Sequence, residues 1–224
     1  MKQLIIISLS LLLGGAANAQ GFFQWGVKGG AQLGYVKIGQ SPKITSDLTS
    51  TGKDYVMEQG RKQWGFHLGA FARFNFGETW YLQPELLYTQ AKGAMVLTEL
   101  DGANTNETLL SQRFNRFDIP MLVGLKFGFA RTYVGPVVMF TLSENGNLRS
   151  RMQEIVGQTI DNHFNGASVG FQVGVGIDVL STLALDVRYE GGLSKLGESI
   201  TVGNKTLSTN QRCNQIIFSA GVYF

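Results

Sequence analysis

From Ala167 to Val179 the chain reads Ala-Ser-Val-Gly-Phe-Gln-Val-Gly-Val-Gly-Ile-Asp-Val, with an apolar residue at every odd position and Ser, Gly, Gln or Asp at every even one. Successive side chains of a strand point to opposite faces, so this period of two makes one face oily and the other small or polar. Thirteen residues exceed the roughly 9–11 that a tilted strand needs to cross the hydrocarbon core of a bilayer.

Seven further segments show the same alternation. They are Phe23 to Tyr35, Trp64 to Phe76, Trp80 to about Ala91, Phe117 to Phe127, Thr132 to Leu142, Leu183 to Leu193 and Gln215 to Phe224. Gly77-Glu78-Thr79, Gly128-Phe129-Ala130 and Leu180-Ser181-Thr182 read as tight turns after the second, fourth and sixth strands. Long polar segments follow the others: Val36 to Gln63, Lys92 to Arg116, Ser143 to Asn165 and Ser194 to Asn214. Short turns alternating with long loops are the pattern of an up-and-down transmembrane barrel, with the long loops extracellular and both mature termini periplasmic. The expected fold is therefore all-β, an eight-stranded antiparallel up-and-down transmembrane β-barrel.

The N-terminus belongs to another regime. Met1-Lys2, the apolar run Leu4 to Leu13 and the small-residue site Ala17-Asn18-Ala19 read as a cleaved secretory signal peptide over residues 1–19, leaving 20–224 as a single barrel domain. No cysteine follows the cleavage site to carry a lipid anchor, and no stretch approaches the roughly 18 apolar residues of a helical span. With Lys2 removed, 18 basic side chains face 16 acidic ones, and no basic block points to nucleic acid. The lone Cys213, placed in the rim just before the last strand, excludes a disulfide framework and a cysteine-based metal site.

Several short runs, taken in order, resemble the PorT-like outer-membrane β-barrel family of Bacteroidota. They are Trp25-Gly26-Val27-Lys28-Gly29-Gly30, Leu82-Gln83-Pro84-Glu85-Leu86-Leu87-Tyr88, Asp118-Ile119-Pro120-Met121-Leu122, Gly135-Pro136, Gly174 to Asp178 and Arg188-Tyr189. The resemblance covers the strands and leaves out the loops. It implies an outer-membrane location in a Gram-negative cell, and Phe224 resembles the terminal aromatic read by barrel-assembly machinery. The founding member's link to protein secretion has no matching residues here.

Alternation also sorts the charges. Lys28, Arg73, Lys126 and Arg188, with Glu85, Asp118, Asp178, Asp186 and Glu190, take inward positions, as does His67. Eight strands leave an interior that side chains fill, and buried charges must pair, so these residues should form a salt-bridged plug with glycines making room. Pro84, Pro120 and Pro136 fall in strands of a sheet without edges, so each should coincide with a bulge or a locally open ladder. Trp25, Tyr35, Trp64, Phe76, Trp80, Tyr88, Phe117, Phe127, Tyr189 and Phe224 are expected in two girdles at the lipid interfaces.

Reactive constellations are thin. His67, Ser219 and Glu190 all face inward and make a Ser-His-acid set on paper, without a G-x-S-x-G motif; hydrogen bonding inside the charged interior is the ordinary reading of His67. His163 reads as a solvated loop residue, and Asp101, Asn104, Asn106 and Glu107 do not follow the calcium-loop order. No catalytic, cofactor or metal residue is assigned. Lys37, Lys43, Lys53, Arg61, Lys62, Arg149 and Arg151 are candidate contacts for lipopolysaccharide phosphates. The expected activity is non-enzymatic, through the loops, in binding, adhesion or docking of a protein partner; the alternatives are a lipid A-modifying enzyme, a narrow channel or a secretion-system accessory.

Overall fold

The computed structural model describes residues 21–37, 43–46, 49, 52–101, 104–146, 161–164, 166–179, 182–194, 197–202 and 205–224. The expected signal peptide lies outside them. The strands are β1 (Phe23–Lys37), β2 (Lys43–Ile44), β3 (Asp54–Gln59), β4 (Gln63–Phe76), β5 (Trp80–Asp101), β6 (Asn104–Phe127), β7 (Ala130–Gly146), β8 (Asp161–Phe164), β9 (Ala167–Val179), β10 (Leu183–Gly192), β11 (Gly197–Val202) and β12 (Lys205–Tyr223).

Strands β1, β4, β5, β6, β7, β9, β10 and β12 follow one another as antiparallel neighbours, and β12 pairs back onto β1 from Gly26↔Tyr223 to Lys37↔Arg212. The sheet is thus a closed ring of eight strands, which leaves no edge and pairs the backbone groups around the wall. Val169, Val173 and Val175 are 43%, 43% and 59% exposed on its outer surface, while Gln172 between them is fully buried. A soluble barrel would show the reverse. The oily face therefore looks out, and the polar face fills the lumen.

Aromatics gather at the two ends of this outer surface. Trp25, Phe76, Trp80 and Phe127 are exposed at the short-turn end, where Trp25 stacks against Phe224 at 4.9 Å. Trp64 and Phe117 are exposed toward the other end, with Tyr88 6.0 Å from Phe117 and Tyr189 6.0 Å from Phe171. Phe66, Phe129 and Phe140 are exposed as well and join these belts. The side chain of Tyr35 lies outside the described residues.

Glycine shapes two of the short turns. Gly77 has φ of 69° and Gly128 φ of 64°, left-handed values that residues with a Cβ adopt at a cost. The second turn is one residue tighter than expected, because Ala130 already pairs with Phe127. Of the third, residues 180 and 181 lie outside the described set.

The three prolines open the ladder without bulging it. Between β4 and β5 the pairing runs to Phe71↔Glu85 and resumes at Phe74↔Leu82, skipping Pro84. Between β5 and β6 it stops at Pro84↔Met121 and resumes at Leu87↔Asp118, skipping Pro120; between β6 and β7 it stops at Pro120↔Val137 and resumes at Val123↔Val134, skipping Pro136. Register is the same on both sides of every gap, so no residue is inserted. A missing N–H is met by a local break.

The long segments correct the reading of them as loops. Lys92 to Arg116 is mostly strand: β5 and β6 pair without interruption from Leu87↔Asp118 to Asp101↔Asn104, forming a ribbon beyond the barrel. The lumen-facing alternation simply continues, with Ala91, Met95 and Leu97 buried on β5 and Leu110 and Phe114 on β6. Ala91 pairs with Phe114 and Met95 with Leu110, so apolar cross-strand pairs hold the ribbon together. Strand β3 adds to its β5 edge from Asp54↔Leu100 to Gln59↔Met95, and buries Tyr55. Strand β11 pairs with the outer part of β12, and β8 with β11; β12 itself runs from Lys205, so Cys213 lies inside a strand opposite Val36 and not in a preceding rim.

Candidate functional site

The lumen is where chemistry-bearing side chains converge. At its centre, Lys28 Nζ on β1 donates to Glu85 Oε1 on β5 at 2.8 Å and lies 3.6 Å from Asp186 on β10. Arg188, also on β10, spans the barrel to Glu85 with Nη1–Oε2 at 2.9 Å and Nη2–Oε1 at 3.2 Å. All four side chains are essentially removed from solvent. Isolated, each would be costly; a bidentate guanidinium–carboxylate contact and an ammonium satisfy one another.

Small residues make this crowding feasible. A Cβ at Gly174 would stand 2.7 Å from Arg188 Cβ and 2.8 Å from the Tyr133 ring, and one at Gly124 would stand 2.2 Å from the Tyr81 ring. The inward glycines therefore mark where long side chains from neighbouring strands lie across the wall.

Toward the ribbon end, Arg116 on β6 holds two carboxylates: Nε is 2.8 Å from Asp118 Oδ1 and Nη2 is 2.8 Å from Glu190 Oε1. Glu190 also accepts from Gln172 at 2.7 Å and Gln215 at 2.8 Å, and is fully buried. Toward the short-turn end, Asp178 is shared by Arg73 Nη1 at 3.1 Å, the Tyr223 hydroxyl at 2.9 Å and Arg131. Arg131 Nη2 donates to Asp186 at 2.7 Å, and Lys126 Nζ donates to the amide oxygen of Asn75 at 2.5 Å.

All ten expected lumen residues, Lys28, His67, Arg73, Glu85, Asp118, Lys126, Asp178, Asp186, Arg188 and Glu190, take inward positions, and only Lys126 and Asp178 near the mouth are half-buried. The structure adds two arginines. Arg116 and Arg131 lie just before the expected starts of the fourth and fifth strands, and carrying the alternation of Asp118 and Tyr133 back by two residues finds both. The neutral linkers Gln83, Gln172 and Gln215 were also legible only as inward polar residues.

The Ser-His-acid set is half formed. His67 Nε2 and Ser219 Oγ are 2.9 Å apart and buried, but Glu190 is engaged by Arg116, Gln172 and Gln215 instead of by His67. His67 Nδ1 has no hydrogen-bond partner among the described residues. A dyad without an orienting acid lacks the third group that fixes the imidazole tautomer.

Outside the barrel, the candidate lipopolysaccharide contacts Lys43 and Lys53 sit in ion pairs. Lys43 Nζ pairs with Asp54 at 3.0 Å, and Lys53 pairs with Glu99 on β5. Arg61 and Lys62 are exposed; the side chain of Lys37, and Arg149 and Arg151 entirely, lie outside the described residues. The Asp54 carboxyl is held below its ordinary value by its hydrogen bond to Lys43, assisted by the Ser46 backbone N–H at 2.8 Å. The oxygen-rich run is not gathered: Asn106 and Glu107 are exposed on β6 opposite Glu99 and Thr98. Asp101 and Asn104 pair at the ribbon tip, their side chains outside the described set, as is the side chain of His163 in β8.

A family model described as outer membrane protein beta-barrel domain matches residues 17–198. No curated protein matches the chain. Among solved structures, Ail, the attachment invasion locus protein of Yersinia pestis, is 12% identical and covers 90% of this chain and 98% of its own, with a TM-score of 0.45. The outer membrane protein OprG of Pseudomonas aeruginosa is 12% identical over 90% of this chain and 95% of its own, with a TM-score of 0.48. Neisserial surface protein A is 11% identical over 89% and 97%, with a TM-score of 0.47.

Proposed function

The chain belongs to the outer membrane protein beta-barrel domain family and is an outer-membrane protein; from that premise we propose that it is a non-enzymatic barrel with a side-chain-filled lumen, acting through its extracellular segments in binding, adhesion or partner docking. The observation that carries this reading is the β5–β6 ribbon. Ten residues of β5 beyond Ala91 extend the ladder by roughly 30 Å, and buried Met95, Leu97 and Leu110 with β3 alongside make it a structured platform. It presents Leu100 and Leu109, 41% and 49% exposed, on the side where the long segments lie. These two side chains are where the reading places the partner's contact.

The finer kinship with the PorT-like barrels of Bacteroidota rests on the order of the short motifs quoted above, and on the Phe224 terminus for recognition by assembly machinery. Lipopolysaccharide contact is assigned to the exposed Arg61 and Lys62 among the described candidates.

A photoreactive residue placed at Leu109 in intact cells tests the docking reading, with Val175 on the lipid face as its control. A protein adduct specific to Leu109, together with lost surface attachment when residues 95–110 are replaced by a two-residue turn, is expected. No adduct and unchanged attachment by a correctly folded barrel would overturn it.

One observation favours a second reading: the 2.9 Å contact between His67 and Ser219 suits a lipid A-modifying enzyme. Burial of both inside the charged lumen, away from acyl chains, and the engagement of Glu190 elsewhere weigh against it. Unchanged lipid A acylation by mass spectrometry in cells with and without the protein is the expected result.

A further inference from the structure

Charge is distributed unevenly along the barrel axis. Toward the ribbon end one arginine, Arg116, serves two carboxylates, and at the centre Lys28 and Arg188 are matched by Glu85 and Asp186. At the short-turn end three cations, Arg73, Arg131 and Lys126, surround a single carboxylate, Asp178, and the reach of Arg131 to Asp186 only borrows from the centre. Among the described residues Lys126 Nζ meets no carboxylate; its partner is the amide oxygen of Asn75. In outer-membrane barrels the short-turn end faces the periplasm.

The excess surrounds an open cavity. A space of about 380 Å³ is lined by Arg73, Lys126, Asp178, Gln24, Tyr223 and the Gly128-Phe129 turn. Arg73 is held rigidly at its wall, its guanidinium carbon 4.7 Å from the Tyr81 ring centre and 4.8 Å from that of Tyr223. It is 1% exposed, and its Nη2 has no hydrogen-bond partner among the described residues. A guanidinium nitrogen removed from water without an acceptor is costly, and so is uncompensated charge of one sign.

We propose that this periplasmic-mouth cavity is a binding site for a phosphate group, with Arg73 and Lys126 as its donors and Arg131 reinforcing the positive field. Three cations less one carboxylate leave two positive charges, which inorganic phosphate or a phosphate monoester, carrying about −1.5 to −2 at neutral pH, neutralises more fully than a carboxylate does. Arg73, which lines the cavity with its guanidinium held between two tyrosine rings, supplies a fixed donor, and Lys126 a flexible one that leaves Asn75 to bind. The site lies at the opposite end of the molecule from the docking ribbon and stands independently of it.

Isothermal titration of the full-length barrel with inorganic phosphate, in maltoside micelles at fixed ionic strength, tests the assignment. Saturable binding with one phosphate per chain is expected, weakened about tenfold or more by Lys126→Gln and retained by Lys126→Arg. If Lys126→Gln does not fold, Gln24→Glu, which brings a second carboxylate to the same wall, is expected to abolish binding. Repeating the titration in nanodiscs containing phosphatidic acid, whose headgroup is a phosphate monoester, separates two sources of the same chemistry. Binding abolished there assigns the site to lipid headgroups, and binding retained assigns it to soluble periplasmic phosphate. No saturable binding in micelles, or binding unchanged by the charge variants, overturns the proposal.

Discussion

Arg188 and Glu85, separated by 103 positions in the chain, meet across the lumen with both guanidinium Nη atoms on the carboxylate, at 2.9 and 3.2 Å. Lys28 closes the group from a third strand at 2.8 Å. Three strands that are not all neighbours are thereby tied through the barrel interior. Glu85→Gln leaves two cations facing one weaker partner, and removing one member of a buried ionic group costs about 3–5 kcal/mol. Denaturant unfolding in detergent should show a loss of that size, with part of it recovered when Arg188→Gln is added. An additive double variant would deny the coupling.

Packing at the wall makes a second expectation. Gly124 lies under the Tyr81 ring, with an added Cβ only 2.2 Å from it. Gly124→Ala should destabilise by about 1–3 kcal/mol through overpacking, and Tyr81→Ala in the same chain should relieve the clash. The double-mutant cycle in thermal unfolding then gives a favourable coupling. Zero coupling would mean that the glycine is there for another reason.

The filled lumen should not conduct. Planar-bilayer recordings of the reconstituted chain are expected to show no steady current, because paired side chains such as Arg188–Glu85 and Arg116–Glu190 occupy the axis. A steady current that disappears when Glu85 or Glu190 is neutralised would instead describe a wet path lined by these charges.

How much of this is visible in the sequence depends on what kind of interaction each part rests on. The wall is legible because lipid enforces strict alternation, and the bounds of β9, Ala167–Val179, follow from parity alone. The ribbon is harder to see because its alternation passes through polar residues such as Lys92, Thr98 and Glu99, and only Met95, Leu97, Leu110 and Phe114 carry it. Parity also tells which side a charge faces and not which charge it meets. Arg116 and Arg131 escape the parity reading because their strands begin before the apolar runs do, at Asn104 and Ala130, and so the capture of Glu190 by Arg116, which breaks up the Ser-His-acid set, is not legible in the sequence.

Acid should loosen the extracellular sheet locally at Asp54. Its carboxyl is held below the ordinary value of 3.8 by Lys43 and the Ser46 N–H. A group with a depressed pKa stabilises fully above its unfolded value and loses that contribution as pH falls through the folded one. The Ser46 amide resonance should therefore keep its hydrogen-bonded shift through the range where free aspartate titrates and move only at lower pH. Movement centred on the ordinary aspartate value would mean that the contact is not formed.

The direction in which the oily face looks can be read most directly with a nitroxide at Val175, introduced as cysteine in a Cys213→Ser background and compared with one at Ser168 on the opposite face. In bilayers the label at 175 should collide freely with oxygen and little with a water-soluble nickel chelate, as a side chain 59% exposed on the outer wall would. A label at 175 shielded from both reagents, as in a dry protein core, would contradict the inside-out barrel.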